Sequence, residues 1–333
     1  MINNYLLNPK LFDDDVVQEP IRAGFGRGLK AAGEANDKVV ALCADLTEST
    51  MVNKFSETYP DRFIQVGIAE QNLVAVASGL ALAGKIPFAS SYAAFNPGRN
   101  WEQIKTTIAL NDQPVKIVGG HAGISVGPDG ATHQMLEDIA LMRVLPNIIV
   151  VVPGDSIEAE KATKAIAENG KPSYIRLARV KTPIISTIES PFEIGTAYIL
   201  REGNDVSLMG TGTMTYQLLV AAKILDGQGI NAEVVHVPTI KPLDNDIIIS
   251  SAKRTGRVVS AEEAQIAGGF GGAIAELLSE KLPTPLLRIG MQDRYGESGE
   301  PMELFDYFGL TGEHIAKKVA EFVHNTSQYH REY

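Results

Sequence analysis

A glutamate at the start of an apolar helix is the first residue of this sequence whose setting points to chemistry. Glu70 follows Gly67 at the end of a β-rich run and opens a helix predicted over 70–83. Carboxylates are common at helix N-termini because the helix dipole favours negative charge there, so this position alone indicates little. The helix, however, is apolar on nearly every side, and such a helix is expected to be buried. A buried carboxyl group needs a partner and is often functional, so Glu70 is a candidate catalytic residue.

A glycine-rich loop further along the chain carries three more polar candidates. His121, Asp129 and His133 lie within thirteen residues, and the glycines between them indicate a loop, where polar side chains are often functional. Their spacing matches no common zinc motif. Histidine is the side chain best suited to acid–base work near neutral pH. The loop is therefore a candidate site for proton transfer rather than for a metal.

Composition restricts the possible partners. The chain has 333 residues, enough for two domains, with 40 acidic against 30 basic residues and a formal charge of -10. This acidity disfavours nucleic acid and anionic membranes as partners. The lone Cys43 lies in an apolar run and is expected to be a small buried residue. Because no apolar run approaches 18 residues and the N-terminus lacks a signal-peptide pattern, we expect a soluble, cytoplasmic protein without a membrane span.

Short apolar runs that alternate with amphipathic ones predict the elements that position these residues. The runs in the first half are continuous, as in strands buried on both faces of a parallel sheet. Strands are predicted there at 39–43, 63–66, 115–118, 148–152 and 174–177. Helices are predicted there at 21–35, 70–83, 100–110, 133–145 and 156–168. The fold class is α/β, with an N-terminal arm (1–18), a doubly wound domain (19–185), a loosely patterned linker (181–195) and a smaller doubly wound α/β domain (192–325).

Several motifs, in order along the chain, resemble the transketolase family. After Glu70 come PFASSYAAF at 87–95, HAGISVGPDGATHQ at 121–134, and DRYGESGEP at 293–301. The resemblance runs over about residues 19 to 320. It implies that the first domain binds the pyrimidine of thiamine diphosphate and that the second is a transketolase C-terminal-type domain.

The resemblance implies a cofactor-binding role for four residues. Glu70 would hydrogen-bond a ring nitrogen of the aminopyrimidine and so activate the cofactor. Tyr92 and Phe95 would form the flat aromatic wall of the pyrimidine pocket. Either could instead be an ordinary core aromatic, but their register behind Glu70 favours the pocket. Asp45 would approach the cofactor from the same domain.

The resemblance also implies substrate-binding roles. His133 would lie beside the reacting ketol and move protons or orient the donor, and Asp129 would bind a substrate hydroxyl. The substrate phosphate would be held by side chains from four separate segments: Arg22, Ser49, His121 and Arg179. Guanidinium groups suit this task because they donate two parallel hydrogen bonds to a phosphate.

One motif that the family needs is missing. The chain contains no Gly-Asp-Gly, the motif with which the family holds Mg2+ and the diphosphate, so no metal ligand is expected here. A separate N-terminal subunit would supply that motif, in an α2β2 heterotetramer that contains a homodimer of this chain. Gly98 also stands where full-length transketolases often have a further aromatic, which leaves the far side of the pyrimidine pocket open. The pair Glu262-Glu263 and the glycines after it are expected to pack tightly without a ligand.

The expected function is that of the C-terminal subunit of a transketolase, which transfers a two-carbon ketol unit between sugar phosphates of the pentose phosphate pathway. It would act only with the N-terminal subunit. Three alternatives stay open: half of a 1-deoxyxylulose-5-phosphate synthase-like enzyme, a 2-oxoacid dehydrogenase β-type subunit, and a non-catalytic scaffolding subunit.

Overall fold

The computed structural model describes residues 5–329; the first four residues of the predicted arm and the last four of the chain lie outside the described residues. The strands are β1 (Gln18–Pro20), β2 (Val39–Cys43), β3 (Phe63–Gln65), β4 (Ile86–Tyr92), β5 (Lys116–Gly120), β6 (Ile149–Val151), β7 (Ser173–Leu177), β8 (Lys181–Pro183), β9 (Tyr198–Arg201), β10 (Val206–Gly210), β11 (Ala232–His236), β12 (Thr239–Lys241), β13 (Val258–Gln265) and β14 (Leu286–Met291).

The helices alternate with these strands. They are α1 (Ile21–Ala35), α2 (Asn53–Thr58), α3 (Glu70–Leu82), α4 (Trp101–Gln103), α5 (Asp138–Arg143), α6 (Ser156–Glu168), α7 (Met214–Asp226), α8 (Asn245–Thr255), α9 (Phe270–Lys281), α10 (Pro301–Tyr307) and α11 (Gly312–Tyr329). Short 3-10 turns cover Pro60–Arg62 and Ile124–Asp129, and a π-helical turn covers Ile104–Ala109.

Two sheets organise the molecule. The first has the strand order β12-β6-β7-β5-β4-β2-β3 and is parallel except for β12. The second has the order β14-β13-β10-β11-β9 and is parallel except for β9. All residues of β2, β5 and β7 are buried, because helices cover both faces of the first sheet. The predicted α/β fold class is confirmed, and so is the burial of Cys43.

Helix α1 lies unusually close to α6. A Cβ atom at Gly24 would overlap the backbone carbonyl of Ser156, and one at Gly28 would approach the carbonyl oxygen of Glu160 within 2.7 Å. Only glycine allows two helix backbones to approach this closely. The contact fixes the first turn of α1 on the sheet, and with it Arg22.

The predicted linker is more ordered than its sequence indicates. Strand β8 pairs antiparallel with β1, and a bridge joins Leu7 to Ser186. The Ser190 hydroxyl donates to the Leu6 carbonyl at 2.6 Å. Pro183 lies at the end of this short edge pairing, where a missing N–H does not interrupt a ladder. The described part of the N-terminal arm is thereby tied to the segment that follows the first sheet.

Two other element predictions need correction. The helix predicted over 133–145 is only α5, because the loop before it stays extended and its Met135 carbonyl accepts from the Gly123 N–H at 2.9 Å. The helix predicted over 100–110 divides into α4 and the π-helical turn. Strand β4 and helix α10 were not predicted at all.

Helix α3 is not buried on all sides, contrary to the prediction from its composition. Glu70, Leu73 and Ala77 face the core, but Leu82 is 73% exposed, and Ile68 just before the helix is 75% exposed. The core of this chain covers one side of the helix only, and the opposite side presents apolar groups at the surface. Among the described residues, none of the helices combines the length and apolar character that crossing a bilayer requires.

Candidate active site

The candidate residues lie where neighbouring strands of the first sheet end. Asp45 and Ser49 follow β2, Glu70 follows β3, Phe95 follows β4, His121 follows β5 and Arg179 follows β7. Because these strands are parallel and adjacent, their carboxyl ends meet at one edge. Ligands of open α/β sheets bind in the crevice at that edge.

Glu70 is buried at the N-terminus of α3. Its carboxylate is 2% exposed and accepts a hydrogen bond from Nη1 of Arg99 at 2.7 Å, while its backbone carbonyl accepts from the side chain of Asn100 at 2.8 Å. The Arg99 side chain is 49% exposed, so the pair joins the interior to the surface. The carboxyl group is thus fixed in position and has a cation as partner.

Sequence reasoning missed Arg99, which completes the region around Gly98. A Cβ atom at Gly98 would overlap the carbonyl of Ala94, so no aromatic side chain fits on this backbone. The guanidinium of Arg99 lies over the Phe95 ring instead, 4.5 Å from its centroid. The only signal in the sequence was the departure at Gly98 itself, with a planar cation as the next residue.

Aromatic rings connect the two ends of the site. The Tyr92 and Phe95 rings are stacked with centroids 6.2 Å apart, and Tyr92 stacks on the His121 imidazole at 3.8 Å. The His133 ring meets the Phe95 ring edge-on at 5.4 Å. The structure therefore brings together Tyr92, Phe95 and both predicted histidines.

The other end of the site carries positive charge. Nη1 of Arg22 donates to the backbone carbonyl of Ser49 and lies 3.5 Å from Nε2 of His121. Nη1 of Arg179 donates to the carbonyl of Val126 at 2.7 Å. Burial, and then the like charge of Arg179, lower the pKa of Arg22. We call Arg22, His121 and Arg179 the cationic end.

His121 is neutral at ordinary pH. Burial, followed by the charges of Arg22 and Arg179, lowers its pKa to about 3. Its Nδ1 atom is buried without a hydrogen-bond partner. A buried polar atom without a partner is costly, and an anion or sugar hydroxyl placed beside this ring would relieve that cost.

The remaining candidates are placed less closely. Asp129 is exposed at the end of the 3-10 turn, and Nδ1 of His133 lies 3.0 Å from the Thr132 hydroxyl. Asp45 is exposed after β2, with its backbone N–H bonded to the Gln65 side chain at 2.7 Å. For Ser49 it is the backbone carbonyl, and not the hydroxyl, that contacts Arg22.

A cavity of about 440 Å³ opens beside the cationic end. Its lining includes Arg22, Ser125, Arg179, Lys181 and Glu300. Within residues 5–329, no cluster of three or more histidine, cysteine or acidic side chains is arranged to hold a metal ion. The cavity therefore offers cationic and hydroxyl donors suited to an anionic ligand.

Comparison with known proteins identifies both halves of the chain. Residues 19–184 match the family model of the transketolase pyrimidine binding domain, and residues 195–315 match that of the transketolase C-terminal domain. Together with the strand-end site, these matches define the class: a chain that carries the pyrimidine binding domain and the C-terminal domain of the transketolases.

Relatives cover nearly the whole chain. A putative transketolase C-terminal section of Methanocaldococcus jannaschii is 45% identical over 92% of this chain and 96% of its own length. A 6-deoxy-6-sulfo-D-fructose transketolase subunit of Clostridium sp. (strain MSTE9) is 42% identical over 86% of this chain and 89% of its own length. A solved split gene transketolase, an inactive beta4 tetramer, superposes with a TM-score of 0.86 at 43% identity, covering 91% of this chain and 98% of that one. The chain belongs to the transketolase family and corresponds to its C-terminal section.

The residues at the Glu70 end fit the aminopyrimidine of thiamine diphosphate. A buried carboxyl group beside Phe95 can hydrogen-bond a ring nitrogen while the Phe95 face stacks on the ring. The Arg99 guanidinium covers that face of Phe95 and donates to the Glu70 carboxylate, so a ring stacked on this face would have to displace it.

Proposed function

We propose that this chain is the C-terminal subunit of a transketolase that transfers a two-carbon ketol unit between sugar phosphates together with an N-terminal subunit. The observation that carries the proposal is the union, at one sheet edge, of a buried carboxyl group with an aromatic wall and a cationic end. The first serves the cofactor and the second the substrate. Both ends lie in the pyrimidine-binding domain, to which we assign residues 19–185, and we assign residues 192–325 to a C-terminal-type domain.

The Glu70 end controls a proton. When bound, thiamine diphosphate supplies the carbon nucleophile that accepts the ketol unit. Glu70 holds the proton shared with the pyrimidine nitrogen, and its burial excludes the water that would compete for it. Phe95 and Tyr92 keep the ring plane in register, and Asp45 approaches the cofactor from the end of β2.

The cationic end binds the substrate. Arg22 and Arg179 donate charge-assisted hydrogen bonds to the terminal phosphate, with Ser49 beside them. Neutral His121 donates or accepts one more bond through Nε2 or Nδ1. Asp129 and His133 reach the sugar from the loop, where His133 moves a proton at the ketol oxygen.

The rest of the catalytic apparatus belongs to a partner. The sequence lacks the Gly-Asp-Gly motif, so an N-terminal subunit holds the diphosphate and Mg2+. The apolar side of α3, with Ile68 and Leu82 exposed, supports an assembly in which other chains cover this surface. An α2β2 heterotetramer with a homodimer of this chain satisfies both requirements.

Reconstitution tests the function. This chain, mixed with a separately expressed chain of the same source that carries Gly-Asp-Gly, should convert xylulose 5-phosphate and ribose 5-phosphate. A second arm offers pyruvate and glyceraldehyde 3-phosphate, and a third offers a ketose with a terminal sulfonate, an anion that is also named in one relative.

Transfer in the first arm, with no turnover by either chain alone, supports the proposal. Condensation of pyruvate would assign the chain to a deoxyxylulose phosphate synthase instead. Turnover confined to the sulfonate arm would replace the sugar phosphate by a sulfonated sugar. Full activity of this chain by itself would refute the split arrangement.

A further inference from the structure

The loop that carries the proposed sugar ligands, residues 121–134, has a backbone that needs outside support. Gly123, Gly127 and Gly130 all have positive φ angles, 86, 83 and 74°, and His121 has a φ of 53°. Such turns fold the loop sharply, and the one at Gly127 interrupts the 3-10 turn Ile124–Asp129. Its shape must therefore come partly from neighbouring elements.

Support comes from the C-terminal half of the chain. Oε1 of Glu263, on β13, accepts the backbone N–H of Ser125 at 2.6 Å, across 138 residues of sequence. Oε2 of the same carboxylate accepts the Thr213 hydroxyl at 2.7 Å. Glu263 is 2% exposed. One buried carboxylate thus joins α7 and β13 to the middle of the loop.

A second contact holds the far end of the loop. Nε2 of Gln134 donates to the carbonyl of Glu297 at 2.8 Å and lies 3.2 Å from the carbonyl of Ile124 and 3.3 Å from that of Gly127. Glu297 belongs to the DRYGESGEP motif, to which sequence analysis assigned no role. A Cβ atom at Gly127 would lie 3.2 Å from the Gly299 carbonyl and from Pro301, so this motif covers the loop closely.

We propose that Glu263 is a positioning residue for the sugar-phosphate reaction: by accepting the Ser125 N–H, it holds the loop so that Asp129 and His133 meet the sugar. The proposal rests on the function proposed above. It gives the C-terminal half a task in substrate binding beyond assembly. A carboxylate suits this position because one of its oxygens accepts the Ser125 N–H while the other accepts the Thr213 hydroxyl.

Glu262, the residue before it, offers a matched control. Its carboxylate is buried to the same degree and also accepts two hydrogen bonds, from the N–H groups of Phe270 at 2.7 Å and Gly271 at 2.8 Å. Both bonds anchor the start of α9 within the C-terminal half. Loss of either carboxylate disturbs the core, but only Glu263 binds the loop.

The first readout is hydrogen exchange in this chain without a partner. Glu263→Ala should speed exchange of the Ser125 amide and its neighbours at 123–130 at least about tenfold, because the amide loses its buried acceptor. Glu262→Ala should leave exchange in this segment unchanged and speed it at the start of α9. Equal acceleration of the loop by both variants would make Glu263 merely structural and overturn the proposal.

The second readout is the kinetics of the reconstituted complex. Glu263→Ala should lower kcat/KM for the ketose phosphate about tenfold or more, mainly through KM, since misplaced groups cost this much. Glu263→Gln keeps an oxygen acceptor and should stay within about threefold of the parent, while Glu262→Ala should leave KM unchanged. Parental kcat/KM in folded Glu263→Ala would overturn the proposal.

A second variant tests the role of Glu263 even if Glu263→Ala does not fold. If Glu263→Ala does not fold, Thr213→Val removes the hydroxyl that orients the carboxylate while conserving volume. We expect about a threefold rise in the same KM and faster exchange of the Ser125 amide, and no change in either would overturn the proposal. Failure of the parent complex to transfer a ketol unit would refute the proposed function, whereas the exchange result would still decide whether Glu263 holds the loop.

Discussion

The two ends of the site differ in how their charges are satisfied within this chain. At the Glu70 end, the buried carboxylate has a cation at 2.7 Å, so the chain alone neutralises it. At the cationic end, Arg22 and Arg179 repel each other, and the histidine between them is neutral with an unpaired Nδ1. This contrast supports the proposed roles, in which one end binds a neutral heteroaromatic ring and the other binds an anion.

Loss of the Glu70 carboxylate should reduce turnover more than any other single substitution in the site. Glu70→Gln in the reconstituted complex should reduce kcat about 10²- to 10⁴-fold, because proton transfer by a positioned side chain contributes this much. Steady-state rates of ketol transfer measure it. Glu57→Gln, an exposed glutamate on α2, serves as control and should keep the parental rate. A Glu70→Gln complex with full turnover would remove Glu70 from the mechanism.

The free energy of unfolding should depend on pH through His121, which lies at the cationic end. Because the pKa of His121 is lowered to about 3, the unfolded chain binds more protons than the folded chain between about pH 6.5 and pH 3. The contribution of neutral His121 to the free energy of unfolding is therefore fully present above pH 6.5 and is lost as the pH falls toward 3. Between pH 6.5 and pH 4, the parent should lose about 3 kcal/mol more than His121→Gln.

Urea unfolding at a series of pH values measures this difference. Parallel stability curves for the parent and His121→Gln would contradict the assignment of a buried neutral imidazole at the cationic end.

An anion should stabilise the cationic end by compensating its charge. Arg22→Met should raise KM for the phosphorylated donor about 10- to 100-fold, because a hydrogen bond to a charged group contributes about 1.5–3 kcal/mol. It should also reduce the rise in Tm that inorganic phosphate produces in this chain. Lys253→Ala, which removes an exposed cation from α8, is the control and should keep the parental KM and phosphate response. An equal phosphate response in Arg22→Met would disconnect Arg22 from the anion.

A more modest effect, on the free energy of unfolding, is expected from breaking the Arg99–Glu70 ion pair. Arg99→Met leaves a buried carboxylate without its cation and should reduce the free energy of unfolding by about 1–3 kcal/mol. Adding Glu70→Gln should recover part of that loss, since the two residues form one pair. Urea midpoints of the four chains give the coupling. Additive losses would show that the pair does not hold Glu70 in place.

Much of this geometry was accessible from the sequence, and the reason is topological. Ser49, Glu70, His121 and Arg179 each follow an apolar run that the sequence pattern predicts as a parallel strand, so their meeting at one edge follows from the alternation of strands and helices. Strand β4 was not predicted, but the PFASSYAAF motif that carries Tyr92 marked its position in the sequence.

The parts that sequence reasoning missed depend on contacts without a local pattern. Arg99 adopts its place because the Gly98 backbone excludes a side chain there. The bond from Ser125 to Glu263 spans 138 residues, and no periodicity records such a contact. The apolar composition of α3 indicated burial, but composition does not tell whether the cover is the chain's own core or another surface.

The close approach of α1 to α6 also limits how the substrate range can change. Arg22 lies in the first turn of a helix that Gly24 and Gly28 hold directly against a neighbouring backbone. A larger side chain at either glycine would push α1 away from α6. The Arg22 guanidinium would then move away from that of Arg179. Under the proposed function, adaptation to a longer or shorter sugar would therefore proceed by exchange of side chains around the cavity, while this helix stays in place.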